Sequence, residues 1–208
     1  MRVVIAVAAL VLAGSAGAAP NGADLYAQKC VSCHGVGGLG RAELGPPLRG
    51  VGALAADFYL RTGYMPLQNE HDQPKRRKPK LTDEQIDALV RYVASFGGPA
   101  VPDVHPEGGR VSEGMRLFTE HCSGCHQIAG AGGIMPGAIA PSLEHATPVQ
   151  IAEAVRIGPY LMPRFSEEQI GERELNSIIR YVQLTQDPDD RGGWGLGHLG
   201  PVPEGIVA

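Results

Sequence analysis

The sequence predicts an all-α fold made of two copies of one helical module. Three observations carry this. The phrase "CVSCHG" at 30–35 returns as "CSGCHQ" at 122–127. Each copy is followed, in the same order, by a Pro-Leu loop, a short helical run, a Met-Pro pair and a final helix. No segment alternates convincingly at the period of two that a half-buried strand needs.

Residues 1–19 read as a targeting segment. Met1-Arg2 is a minimal positive start, Val3 to Leu12 is apolar, and Ala16-Gly17-Ala18 offers a small-residue cleavage site. The competing reading is an uncleaved anchor, although Val3 to Ala19 falls short of the roughly 20 residues a membrane span uses. Either way the body is exported, to a compartment where thiols do not stay free without a reason.

Residues 20–97 form the first predicted domain. Asn21 can cap a helix on which Leu25 and Tyr26 pack and which leads to Cys30. "LGPPLRG" is a loop, "ALAADFYLRTG" a helical run with Gly63 as its stop, and Met65-Pro66 follows. Thr82 with Gln85 forms a capping box, after which Ile86, Leu89, Val90 and Val93 keep the i, i+3, i+4, i+7 spacing of one helix face. Gly97 ends that helix, and 98–109 is a linker rich in glycine and proline.

Residues 110–186 repeat the plan. A helix carrying Met115 leads into Cys122, and "IAPSLEH" is the loop. Thr147 caps a helix with Pro148 at its first position and Gln150 at its third. Met162-Pro163 follows, and Ser166 with Gln169 reads as a capping box for the last helix. Residues 187–208 are a tail too rich in glycine and proline for a stable helix. Domains this small cannot bury a generous core alone. Aromatic residues are also few, at 5%, so a large bound group could supply the missing core volume.

The four cysteines say which group. On a helix, Cys30, Cys33 and His34 sit at i, i+3 and i+4, on one face, as do Cys122, Cys125 and His126. Two thiols that can add to porphyrin vinyl groups, with an imidazole rising to the iron from the same side, suit covalent haem attachment. Zinc ribbons keep their cysteine pairs about 15–20 residues apart, whereas most of a domain separates these. A thioredoxin-like pair needs a βαβ context that is missing, and two structural disulfides would leave both histidines unexplained. The expectation is therefore two covalently bound haem c groups.

An electron-carrying haem iron needs a sixth ligand, and methionine is the usual partner of histidine. Met65 follows His34 by 31 residues and Met162 follows His126 by 36, each just before a proline that restricts its backbone. Met135, nine residues after His126, would have to return across the ring very quickly and reads as structural. His71 and His145 are weaker alternatives. The predicted axial pairs are His34 with Met65 and His126 with Met162. Tyr92 and Tyr181 hold matching places in the two final helices and are expected to pack near their own haems.

Net charge is −4, which gives no sign of nucleic-acid binding. The segment "PKRRKPK", 74–80, is the one basic cluster and reads first as a solvated loop, second as a docking patch.

Over nearly its whole length the chain resembles the dihaem cytochrome c subunit of the actinobacterial-type menaquinol–cytochrome c reductase, the cytochrome bcc complex. "CVSCHG", "GPPLRGVG", "TGYMP", "QPKRRKP" and "EQIDALVRYV" carry the likeness in the first half. "GMRLF", "CSGCH", "APSL", "GPYLMPRFS" and "IIRYV" carry it in the second, with the tail "GGWGLGHLGPVPEG" the most family-specific piece. The resemblance implies two class I-like cytochrome c domains and partnership with cytochrome b and Rieske iron–sulfur subunits. It also implies electron delivery to a terminal cytochrome c oxidase, and a cell-membrane location with the haem domains on the extracytoplasmic side. It implies that the natural chain continues past Ala208 into a transmembrane helix. As a reductase subunit the chain would be an electron carrier without its own substrate site. Two alternatives stay open: a freely diffusing exported dihaem carrier, and a dihaem redox enzyme with one exchangeable iron site.

Overall fold

The computed structural model describes residues 19–188, apart from 68 and 70. Most of the predicted targeting segment and of the glycine-rich tail lies outside the described residues. Helices dominate: α1 (Gly22–Lys29), α2 (Val31–His34), α3 (Gly52–Arg61) and α4 (Asp83–Ala94) in the first half. The second half holds α5 (Val111–His121), α6 (Ser123–His126), α7 (Pro148–Ile157) and α8 (Glu172–Gln186).

Each half is built on one helix crossing. In the first, α1 lies across α4, and a Cβ at Gly22 would collide with the Ala88 carbonyl. In the second, α5 lies across α8, and a Cβ at Gly114 would collide with the Ser177 carbonyl. Only glycine permits backbones to approach this closely. The aromatic residues behind each crossing match as well: Tyr26 packs on Tyr92 at 5.3 Å between ring centroids, and Phe118 on Tyr181 at 5.3 Å. Around them Leu25, Tyr26, Ala88 and Leu89 form one core, and Leu117, Phe118, Ile178, Ile179 and Val182 anchor the other. The four periodic positions of α4, Ile86, Leu89, Val90 and Val93, are all buried.

The predicted start and stop signals mostly operate. Asn21 Oδ1 accepts from the Ala23 N–H at 2.9 Å. Thr82 with Gln85 and Thr147 with Gln150 form complete capping boxes. Gly63 and Gly97 take the left-handed backbone (φ 65° and 87°) after α3 and α4. Replacing Thr147 with Ala should cost about 1 kcal/mol of stability, the ordinary value of such a cap, visible as a lowered urea midpoint of the haem-loaded protein. An unchanged midpoint would mean the cap is redundant there.

Three expectations need correction. Ser166 and Gln169 make half a box, with the Ser166 N–H donating to Gln169 Oε1 at 2.9 Å, yet no helix starts there. The last helix begins five residues later, where Glu174 reaches back to accept from the Gly171 N–H at 2.9 Å. A small antiparallel hairpin pairs Gly133–Met135 (β1) with Ala138–Ala140 (β2). Three-residue strands are too short to show a period, so the sequence hid them. The cysteine motifs are also not single helices: Cys30 and Cys122 break the helix, each at φ −120°, before α2 and α6 resume.

The two halves touch through α3 and α7, across which Asp57 and Arg61 face Glu153. A second contact is made by Gln73, whose amide bonds both main-chain groups of Ile139 in the hairpin (2.6 and 3.0 Å).

Candidate functional site

Each Cys-x-x-Cys-His motif is tied down in the same way. The N–H groups of Cys33 and His34 both donate to the Cys30 carbonyl (3.2 and 2.9 Å), and those of Cys125 and His126 to the Cys122 carbonyl (3.1 and 3.0 Å). The backbone then folds back, with Gly40 N–H on His34 O (2.7 Å) and Gly132 N–H on His126 O (3.0 Å). Leu48 N–H bonds Gly38 O, and Leu143 N–H bonds Gly130 O, which brings each Pro-Leu loop under its histidine.

That loop sets the chemistry of the imidazole. His34 Nδ1 lies 2.8 Å from the Pro46 carbonyl, and His126 Nδ1 lies 3.0 Å from the Pro141 carbonyl. A carbonyl can only accept, so Nδ1 carries the proton and Nε2 is left with a free lone pair. An imidazole with its outer nitrogen fixed this way is oriented and made more basic for a metal ion. Burial lowers the His126 pKa, against the opposing effect of its bond to Pro141.

The cysteines are unpaired. Burial, then the neighbouring thiol, pushes Cys30 and Cys122 up to about 11. Those two thiols carry almost no thiolate at neutral pH. Among the described residues no three or more His, Cys, Asp or Glu side chains converge on one point. The two motifs therefore serve separate places.

In the second half, Cys122, Cys125 and His126 open onto a cavity that Met162 also lines. Phe118, Ile151, Val155, Ile178 and Val182 form its apolar walls, and no carboxylate enters it. An apolar slot with two thiols and a metal-ready imidazole at its edge fits a covalently held haem. Met135, assigned a structural part above, lines the same cavity, so the sequence reading did not foresee two methionines there. In the first half, Cys30 packs against the Tyr26–Leu89 core together with Leu48, Tyr92 and Phe96. Met65 is half-buried, its N–H bonded to the Tyr59 carbonyl at 3.1 Å. His71 and His145 are exposed.

Two supports escaped the sequence reading. The Tyr26 hydroxyl donates to Gly35 O at 2.8 Å, and the Tyr181 hydroxyl to Ile128 O at 2.8 Å. Both hold the chain just after a Cys-x-x-Cys-His motif, but they come from different helices, α1 and α8. The repeat matches Tyr181 with Tyr92 rather than with Tyr26, so the functional match is displaced. The other is Glu153, wholly buried with neither carboxyl oxygen hydrogen-bonded. Burial, then the nearby Asp57 carboxylate, pushes it up to about 9, with Arg61 opposing. Its signal was present, since "IAEAV" places one acid in an otherwise apolar run of α7.

Paired helical halves, each presenting a Cys-x-x-Cys-His motif whose imidazole is fixed by a proline carbonyl, define a c-type cytochrome with two cytochrome c domains. Residues 19–97 match the cytochrome c family, and residues 109–182 match cytochrome c oxidase, cbb3-type, subunit III. The chain is 35% identical to the cytochrome bc1 complex cytochrome c subunit of Corynebacterium diphtheriae, over 90% of this chain and 73% of that protein. It is 36% identical to the subunit of the same name from Mycobacterium tuberculosis, over 90% of this chain and 70% of that one. It is also 31% identical, over 69% of both chains, to a thiosulfate dehydrogenase electron acceptor of Thiomonas intermedia. The chain belongs to the family of cytochrome bc1 complex cytochrome c subunits. It is an electron-transfer protein of the respiratory chain, a subunit of a quinol–cytochrome c oxidoreductase.

Proposed function

We propose that the chain holds two haem c groups and passes electrons from the Rieske centre of a quinol–cytochrome c reductase to a terminal oxidase. Cys30 and Cys33 would hold one group, with His34 and Met65 as axial ligands. Cys122 and Cys125 would hold the other, with His126 and Met162. Bound haem supplies the one-electron couple, and two protein ligands leave no open position for substrate. The chain's own part is to hold the thiols, aim each Nε2, and keep water from the apolar slot.

The observation that carries this reading is the repeated bond from histidine Nδ1 to a proline carbonyl. One such bond could be a solvated accident. Two at equivalent places, each beside a pair of half-buried thiols, are the orientation of a metal ligand. The domains run from 20 to 97 and from 110 to 186, and they work at the extracytoplasmic face of the membrane beside cytochrome b. Among the described residues no helix is long and apolar enough to cross a membrane.

Intact mass of the denatured protein tests the count. Polypeptide plus two haems is expected, with both lost in the quadruple variant Cys30→Ser/Cys33→Ser/Cys122→Ser/Cys125→Ser. One haem, or none, would overturn the assignment. A second reading is a freely diffusing carrier, and the likeness to a protein named as a thiosulfate dehydrogenase electron acceptor supports electron transfer with a partner other than a quinol reductase. Affinity purification from membranes separates the two. Retention of cytochrome b, the Rieske protein and oxidase subunits supports the complex, and recovery of the chain alone supports the carrier.

A further inference from the structure

The cavity at Cys122 and His126 is not closed by its own domain. Phe58, Tyr64, Gln73 and Arg76 of the first half form part of its wall. Arg76 is the one lysine or arginine among all the lining residues, which include no aspartate or glutamate. Its segment is pinned on both sides. Gln73 grips the Ile139 main chain, and the Arg77 N–H donates to Thr62 O at 3.1 Å. Between these anchors Arg76 Nη2 donates to Gln150 Oε1 at 2.6 Å.

Gln150 is the third residue of α7, a helix of 10 residues, and its side chain closes that helix's capping box. Arg76 therefore sets a guanidinium against the positive end of a helix dipole, with no ion pair to acid among the described residues. A cation and a helix N-terminus disfavour each other, and both favour an anion placed between them. The wall offers none. A porphyrin brings two carboxylates to an otherwise apolar slot, and planar bidentate pairing with a carboxylate is what a guanidinium does well.

We propose that Arg76, from the first domain's basic segment, is an anion-binding residue of the second domain's cavity and holds a haem carboxylate there. This rests on the reading of Cys122–His126 as a haem site. It assigns a function to one residue of "PKRRKPK", a segment read from sequence as a solvated loop. It also makes the second haem's electronic state depend on the first domain staying docked.

The test is potentiometric titration of the two-haem protein, with the second haem's wave identified as the one altered by Met162→Ala. In Arg76→Gln that wave should move to lower potential, because losing a nearby cation favours the ferric state. Its pH dependence should also shift upward, because a carboxylate that has lost its cation holds its proton to higher pH. Arg76→Lys should recover most of the shift, and Arg77→Gln should leave both waves in place. A second wave unmoved in Arg76→Gln, or moved equally by Arg77→Gln, overturns the proposal while leaving the haem reading intact. Intact mass showing no haem on Cys122 and Cys125 overturns both.

Discussion

Met162→Ala, on the proposed ligation, should open one of the two irons and leave the other unchanged. The thioether of a methionine ligand favours the reduced state, so its loss lowers the potential of that haem. Axial ligation spans roughly 0.8 V across haem proteins, and a fall of a few hundred mV is the expected scale. The opened iron should bind carbon monoxide in the reduced, otherwise native protein, where the parent binds none. His126 remains fixed by the Pro141 carbonyl at 3.0 Å, so its own hold on the iron would be unaffected. Met65→Ala should do the same to the other haem. The decisive control is Met135→Ala, because Met135 lines the same cavity as Met162. Should Met135→Ala alone open the second haem, the pairing of Met65 with Met162 across the repeat is wrong. Carbon monoxide binding to the unaltered reduced protein would instead favour the dihaem redox enzyme.

The sequence singles out these residues for a physical reason. Thiol spacing, an adjacent histidine and a methionine before proline are local patterns, and the two-fold repeat sets each against a second copy. The helix caps were legible on the same ground, since a capping box needs only four residues. Ser166–Gln169 shows the limit: the local bond forms, but the helix waits for Gly171 and Glu174, because burial of Ile170, Leu175 and Ile178 decides where α8 lies. The proline carbonyls under His34 and His126 are main-chain groups, and a sequence gives main-chain atoms no letter. The repeated Pro-Leu loop was the visible trace of them. How the two halves meet is a matter of contacts between residues 66 to 96 apart in the chain, a loop on a hairpin at Gln73 and Ile139 and a helix on a helix at Asp57 and Glu153. No local rule reaches that far, so the basic segment was legible as a solvated loop, but Arg76's bond to Gln150 and the acid in α7 were not.

Glu153→Gln should stabilise the protein at neutral and alkaline pH. Glu153 is fully buried between α7 and α3 and is pushed up to about 9, first by burial and then by Asp57. Arg61 opposes this, but it is already engaged by Asp57 at 2.8 Å, by Asp83 at 3.1 Å and by Asp87. In the unfolded chain a glutamate titrates near its ordinary value of about 4.3. Between those two values the native state holds a proton that the unfolded state releases. Stability therefore falls as pH rises from about 4.5 to about 9 and levels off above. At pH 7 the accumulated cost is on the order of 3 kcal/mol, and it grows further toward pH 9. Glutamine keeps the size and the hydrogen-bonding capacity without the proton to lose, so the variant's stability should run flat across this range. Urea unfolding of the haem-loaded protein at pH 5, 7 and 9 measures it. The two proteins should agree near pH 5 and diverge steadily above, with the variant the more stable. Parallel profiles would mean that Glu153 is ionised in the native state and that Arg61, rather than a proton, neutralises it. Because Glu153 lies where the two domains meet, the same titration should loosen α3 from α7 above about pH 9. The wild-type protein should then gain hydrogen exchange in both helices at that pH, and the glutamine variant should not.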